Sequence, residues 1–270
     1  MKSTPPAKSQ QGLQRAMSVL RVIATQGRRG MTFTPIAAAS GLPQATLHRL
    51  LAALVFEGLV HLDASNRRYY LGHSLHELGL IALPVVRFSV PARAALEHLA
   101  LLSGDTVYLS ERVGNEAVTT ARVDGAFPFK TLSLHVGMRR PLGVGAGGLA
   151  ILAALEAGEA ERIVESNMLQ LPALAGFDSD FLLDAVEQTR CRGFAYLDNR
   201  ATRGMAAVGV AMYDAATDSR AAISIAAVMS RMTLEKAEQL AQVMVLKARE
   251  VEATMRDLPS GPSPLQEVNC

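Results

Sequence analysis

Residues 36–60 read IAAASGLPQATLHRLLAALVFEGLV, a stretch that carries two short helices joined through a glycine. Thr34 followed by Pro35 suits an N-cap with proline at the first helical position, so residues 36–40 are predicted to be helical. Gly41 permits a tight turn, Pro43 opens a second helix running to about Phe56, and Gly58 ends it. Leu47, Leu50, Leu51 and Leu54 recur at helical spacing and are expected to face inward. Two helices joined by about four residues with a glycine make a helix-turn-helix. Upstream, Leu13, Ala16, Met17, Leu20, Ile23 and Ala24 form one face of an amphipathic helix that Gly27 stops. Downstream, LVHL (59–62) and RRYYLG (67–72) flank DASN (63–66), two strands around a turn. Three helices and a hairpin predict a winged helix-turn-helix over residues 13–72.

Charge divides the chain at about the same place. Residues 1–72 hold nine Lys and Arg against Glu57 and Asp63, a net +7; the remaining 18 basic and 23 acidic residues leave −5. A basic front beside an acidic back suggests two domains with different partners, the front one suited to phosphate. With 270 residues, 49% of them apolar, the chain can bury real cores. A run of about eighteen uncharged apolar residues is lacking, so no membrane helix is expected. The opening MKSTPPAKSQQG lacks the apolar centre of a leader peptide. Cys191 and Cys270 stand far apart without metal-ligand spacing, as suits a reduced, cytoplasmic protein.

Residues 1–12 and 258–270 are polar or proline-rich and are expected to be disordered tails. Residues 73–88 are expected to form a helical linker. Residues 89–257 then alternate between types. Strands are predicted at DTVYLSERV, EAVTTARV, FKTLSLHV, GFAYLD, AAVGVAMYD and RAAISIAAVM, and helices at GAGGLAILAALE, EAERIVESNM, DSDFLLDAVEQTR and the long segment after Thr233. The expectation is an α+β domain with a mainly antiparallel sheet.

In a helix-turn-helix the second helix enters the major groove of double-stranded DNA with its first residues at base edges. Those are Pro43, Gln44, Ala45, Thr46, His48 and Arg49. Gln44 can bond adenine twice, and Thr46 can bond a base or touch a thymine methyl. Arg67 and Arg68 at the hairpin tip are candidates for backbone or minor-groove contact, and Thr34 for phosphate at a helix start. A winged helix used for protein contacts, or a DNA-binding protein that answers to no ligand, are the alternatives. No metal pattern or nucleophile–base set is visible among the six histidines and the acids, so an enzyme is not expected.

Residues 13–79, through IAAASGLPQATLHRLLAALVFEGLV and RRYYLGHSLHELG, resemble the DNA-binding half of the IclR family of bacterial transcriptional regulators. The likeness continues in VGMRRPLGVGAGGLAILAAL, RCRGFAYLDN and AAISIAAVMSRMTLEKAEQLA. It implies a second domain that senses a small molecule on a GAF-like or profilin-like sheet. It also implies homodimers through the front half, often homotetramers through the back half, and repression or activation of neighbouring catabolic genes.

Within the second domain, GVGAGGLAIL (143–152) fits the dinucleotide pattern G-x-G-x-x-G. That fingerprint should follow a buried parallel strand and precede an acid at a strand end. Here the preceding residues look like a turn, and Glu161 and Glu165 lie in a helix-like segment. No cofactor is therefore expected. The resemblance instead places Ala146 and Gly147 on a loop lining the effector pocket, with Leu132 and Arg140 before it. Members that sense small keto acids carry an Asp, a Cys and two Ser at positions matched here by Leu197, Ala207, Ser224 and Ala226, with Met205 also in the wall. A register shifted by one residue would bring Asp198 into the pocket instead. The loss of polar partners implies an apolar or aromatic acid as effector, its charge met by Arg140 or the helix N-terminus. The alternative is that Leu197 and Ala207 are plain core and the effector sits elsewhere.

Overall fold

Residues 8–82, 88–128, 134–170 and 177–257 are described by the computed structural model, whose chain divides into two compact units, Met1–Leu83 and Pro84–Cys270. In the first, α1 (Lys8–Ala24) and a 3-10 turn (Gly27–Arg29) lead to α2 (Phe33–Ser40) and α3 (Gln44–Phe56). Gly41 joins α2 to α3 in the left-handed conformation, its N–H closing on Ala37. The hairpin of β1 (Val60–Asp63) and β2 (Arg68–Leu71) follows, then α4 (His73–Ala82). The core gathers Val19, Leu20, Ile23, Ile36, Leu47, Leu51, Leu54 and Val60.

Three expectations change here. Lys8 and its polar neighbours belong to α1, so the helix begins inside the segment expected to be a tail; residues 1–7 and 258–270 lie outside the described residues. Lys and Gln are good helix formers, and an outlying turn needs no apolar face to continue a helix. Leu13 and Met17 are exposed while Val19 is buried, because the small core reaches only the C-terminal half of α1. Thr34 is not the cap: α2 starts at Phe33, Thr32 holds the cap position, and Thr34 lies inside the first turn. Of the expected linker helix, His73–Ala82 is helical, and residues 83–87 lie outside the described residues.

The second unit is one six-stranded sheet in the order β5-β4-β3-β8-β7-β6, with every neighbouring pair antiparallel. Its strands are β3 (Thr106–Val113), β4 (Glu116–Val123), β5 (Arg139–Pro141), β6 (Ala195–Asp198), β7 (Met205–Asp214) and β8 (Ser219–Val228). The helices are α5 (Arg93–Ser103), α6 (Ala146–Ala153), α7 (Ala157–Gln170), α8 (Ser179–Arg192) and α9 (Leu234–Arg256). Asp178 and Thr233 cap α8 and α9, accepting from the backbone N–H of Phe181 and Lys236. Of FKTLSLHV, residues 129–133 lie outside the description; the rest is loop and turn. The strand comes later, at Arg139–Pro141, within the stretch that reads as a turn.

Residue size differs between the sheet's faces. On β7 and β8, Val208, Val210, Met212, Ile223 and Ile225 point to one side and pack with α5 and α9 residues. Ala207, Gly209, Ala211, Ala222, Ser224 and Ala226 alternate with them and point to the other. That small-residue face receives α6. A side chain at Gly209 would meet the Ala146 carbonyl oxygen at 2.4 Å and the Gly147 nitrogen at 3.1 Å, so backbone rests on backbone there. Gly209→Ala is expected to destabilise this unit by roughly 1–3 kcal/mol, the usual cost of overpacking. Gly158→Ala on α7, where a methyl meets nothing within 4 Å, is expected to stabilise it by about 0.4–1 kcal/mol. Urea unfolding of the two variants beside the parent checks both signs.

Candidate functional site

On the first unit, burial of Leu47, Leu51 and Leu54 fixes which side of α3 faces out. Pro43, Gln44, Ala45, His48 and Arg49 are exposed and Thr46 is half-buried. The His48 ring stacks on Phe33 of α2, with centroids 4.1 Å apart and planes 16° from parallel. His48 therefore ties the two helices together as well as facing outward. At the hairpin tip the Asp63 carboxylate accepts from Ser65 and Asn66, which holds its pKa below the usual carboxylate value. Arg67 takes a left-handed φ of 55° and is exposed. Arg68 differs from the expectation of a free tip residue: its guanidinium donates to the carbonyls of Gly30 (3.1 Å) and Arg29 (3.3 Å). Beside it, Met31 and Tyr69 exchange backbone hydrogen bonds. Arg68 thus fastens the hairpin to the turn before α2, and Thr34 is exposed on α2 itself.

On the second unit, the small-residue face, the start of α6 and the 199–204 loop line a pocket that opens to solvent. Arg140, Ala146, Gly147, Leu197, Met205, Ala207, Ser224 and Ala226 all line it; Leu132 lies outside the described residues. The strand pairing settles the register. Leu197 faces Ala207 across β6–β7, and Ala207 faces Ala226 across β7–β8. The three form one row on the pocket face, while Asp198 is exposed and outside the lining.

Tyr108, Ser110 and Thr119 also line the pocket and carry no local motif. Tyr108 pairs with Ser224 across β3–β8, and Ser110 with Thr119 across β3–β4. The Ser224 and Ser110 hydroxyls lie 3.3 and 3.4 Å from where a Gly147 Cβ would stand, so α6 begins directly over two hydroxyls. The Arg140 guanidinium approaches the same turn, 3.8 Å from the corresponding point at Gly145. Burial pushes its pKa below the ordinary arginine value, with Tyr108 acting in the opposite direction; an arginine remains charged at neutral pH.

One side of the pocket is thus cationic and hydrogen-bonding, with the N-terminal turn of α6 beside it. The other, under β6, β7 and β8, is alkyl. The glycines serve this geometry. Gly143 and Gly145 take φ of 96° and 91°, open to residues without a Cβ, and they follow an antiparallel edge strand rather than the parallel strand of a dinucleotide site.

Comparison with known proteins bears on both units. A family model for the IclR helix-turn-helix domain matches residues 12–64. One described as bacterial transcriptional regulator IclR C-terminal matches residues 83–253. The HTH-type transcriptional regulator XynR of Escherichia coli K12 is 27% identical over 82% of this chain and 88% of its own. The transcriptional repressor IclR of the same organism is 26% identical over 92% of each. The solved structure of an IclR homologue from Microbacterium hydrocarbonoxydans, complexed with 4-hydroxybenzoate, superposes with a TM-score of 0.72 at 19% identity. That match covers 92% of this chain and 100% of the other.

Arg68→Ala is expected to lower the stability of the first unit by about 1–2 kcal/mol, since charge-assisted hydrogen bonds to carbonyls are lost. Faster amide exchange at Met31 and Tyr69, with the second unit unchanged, checks it.

Proposed function

The chain belongs to the IclR family of bacterial transcriptional regulators, and we propose that it is a sequence-specific regulator of catabolic genes whose effector is an apolar or aromatic acid. Family members regulate transcription rather than catalyse a reaction. The start of α3 reads the operator: Gln44 and Thr46 meet base edges, while Ala45 and Pro43 allow close approach. Arg49, His48 and Thr34 lie toward the phosphates, and Arg67 at the hairpin tip follows the backbone or minor groove. Arg68 holds the hairpin in place for that contact. The +7 charge of residues 1–72 supports this assignment. A two-fold operator calls for a homodimer, which the family often doubles to a tetramer. The place of work is the cytoplasm, where the chromosome is.

The observation that carries the effector class is the two-sided pocket. A carboxylate fits between Arg140 and the first N–H groups of α6. The ring then lies over the alanines of β7 and β8 against Leu197 and Met205. A small polar acid in the same place would leave its far end against alkyl carbon without partners, which is costly. That the Microbacterium homologue is complexed with 4-hydroxybenzoate supports an aromatic acid as the effector. An effector changes DNA binding only if it prefers one arrangement of the protein over another.

The test is a titration of the purified protein with DNA from upstream of its own and neighbouring genes. It is run at two salt concentrations against random competitor, with and without benzoate or 4-hydroxybenzoate. Specific binding is expected to weaken with salt by about 0.9 log units per log unit for each phosphate contact. Arg49→Ala is expected to weaken it about tenfold or more. One of the acids is expected to shift DNA affinity at least fivefold, and Arg140→Ala to abolish that shift while leaving ligand-free DNA binding intact. Equal binding to random DNA, with or without acid, would overturn the operator assignment. An effector response unchanged in Arg140→Ala would overturn the carboxylate assignment.

A further inference from the structure

A second cavity, also open to solvent, lies beyond the sheet edge between α8, β6 and the start of α9. Leu197 lines both cavities. Its row across the sheet is otherwise short: Ala207 and Ala226 floor the first pocket, and Leu197 is the first long side chain a ligand lying along them would meet. Leu197 is buried and packs with the residues of α6 and α8. On its far side the chemistry changes. Asp184, Gln188 and Arg192 of α8 and Asp198 of β6 face the second cavity, where the first has alkyl carbon.

We propose that Leu197 is the partition that sets effector length. It closes the pocket after one aromatic ring and shuts off a polar outer chamber that a longer acid would otherwise enter. This rests on the placement of an aromatic acid in the first pocket, and adds to it a selectivity for one ring over two. A single-ring acid ends against the Leu197 methyls. A two-ring acid with its carboxylate at Arg140 must drive its second ring through that side chain, whose packing against the residues of α6 and α8 would have to break. Shortening Leu197 removes the obstruction and joins the chambers. A hydroxyl on the far end of the longer acid would then find Gln188 and Asp184 as partners.

The experiment is calorimetric titration of the full chain with benzoate, biphenyl-4-carboxylate and 4′-hydroxybiphenyl-4-carboxylate, on the parent, Leu197→Ala and Leu197→Val. The parent is expected to bind benzoate at least tenfold more tightly than either biphenyl acid. Leu197→Ala is expected to cancel or reverse that order, gaining tenfold or more for the biphenyl acids. It should favour the hydroxylated one several-fold. Leu197→Val, a milder cavity in a residue suited to a strand, is expected to fall between, so the proposal can be judged even if the alanine variant unfolds. A parent that binds one- and two-ring acids alike, or folded variants that lose benzoate without gaining the longer acids, would overturn the partition while leaving the aromatic-acid assignment standing. Absence of binding by all three acids to every protein would overturn both.

Discussion

Backbone rests on backbone where the first turn of α6 meets β7. At Gly209 even a methyl group would collide with the Ala146 carbonyl, and the inner face of β7 and β8 around it is alanine and serine. This approach brings the N–H end of a helix to within reach of two strand hydroxyls and one arginine. It also leaves a hollow beside the helix, because alanines cannot fill the space between a sheet and what covers it. The large branched residues stand on the opposite face with α5 and α9, so the sheet is anchored from one side and open to a ligand from the other. A conventional, fully packed two-sided core would be more stable and would have no pocket.

The pocket's electrostatics follow from the same placement. Arg140 enters from β5, the edge strand, and is half-buried. Desolvation makes the charge costly there, and an incoming carboxylate would relieve part of that cost. Serine, threonine and tyrosine hydroxyls converge on the same end from three strands. The alkyl end is set by β6, β7 and β8. A molecule with one anionic end and one flat apolar end suits the whole, and a compact polar acid suits only half.

The first unit rests on a different economy of contacts. Its small core leaves little to hold a helix pair at a fixed angle, and two side-chain ties add to it. The stacked rings of Phe33 and His48 join α2 to α3 on the outer side. The Arg68 guanidinium closes the hairpin onto the turn after α1. Both use residues that a contact list for DNA would claim first. A residue beside the groove can act by holding its neighbours in place, and truncation would then weaken binding without loss of a direct contact.

Much of this was legible in the chain. The spacing of Leu47, Leu51 and Leu54, Gly41 between two short helices, and the Asp63 turn identify the winged helix-turn-helix. Each depends on residues within one or two turns of one another. The alternation of β7 and β8 likewise shows which face is small, and Asp178 and Thr233 mark their helices. Likeness to a family supplied most of the pocket wall, and strand register then chose Leu197 over Asp198. What no local pattern contained is which strands lie side by side. Tyr108, Ser110 and Thr119 reach the pocket only because β3 pairs with its neighbour β4 and also with β8, which lies over 100 residues away in the chain. The short strand at Arg139 exists only because β4 has a free edge to offer it, and the exposure of Leu13 and the tethering of Arg68 depend on where a small core ends. Sequence periodicity records the apolar side of an element. The partner on that side is decided by sheet order and the closing of long loops, which are properties of the whole fold.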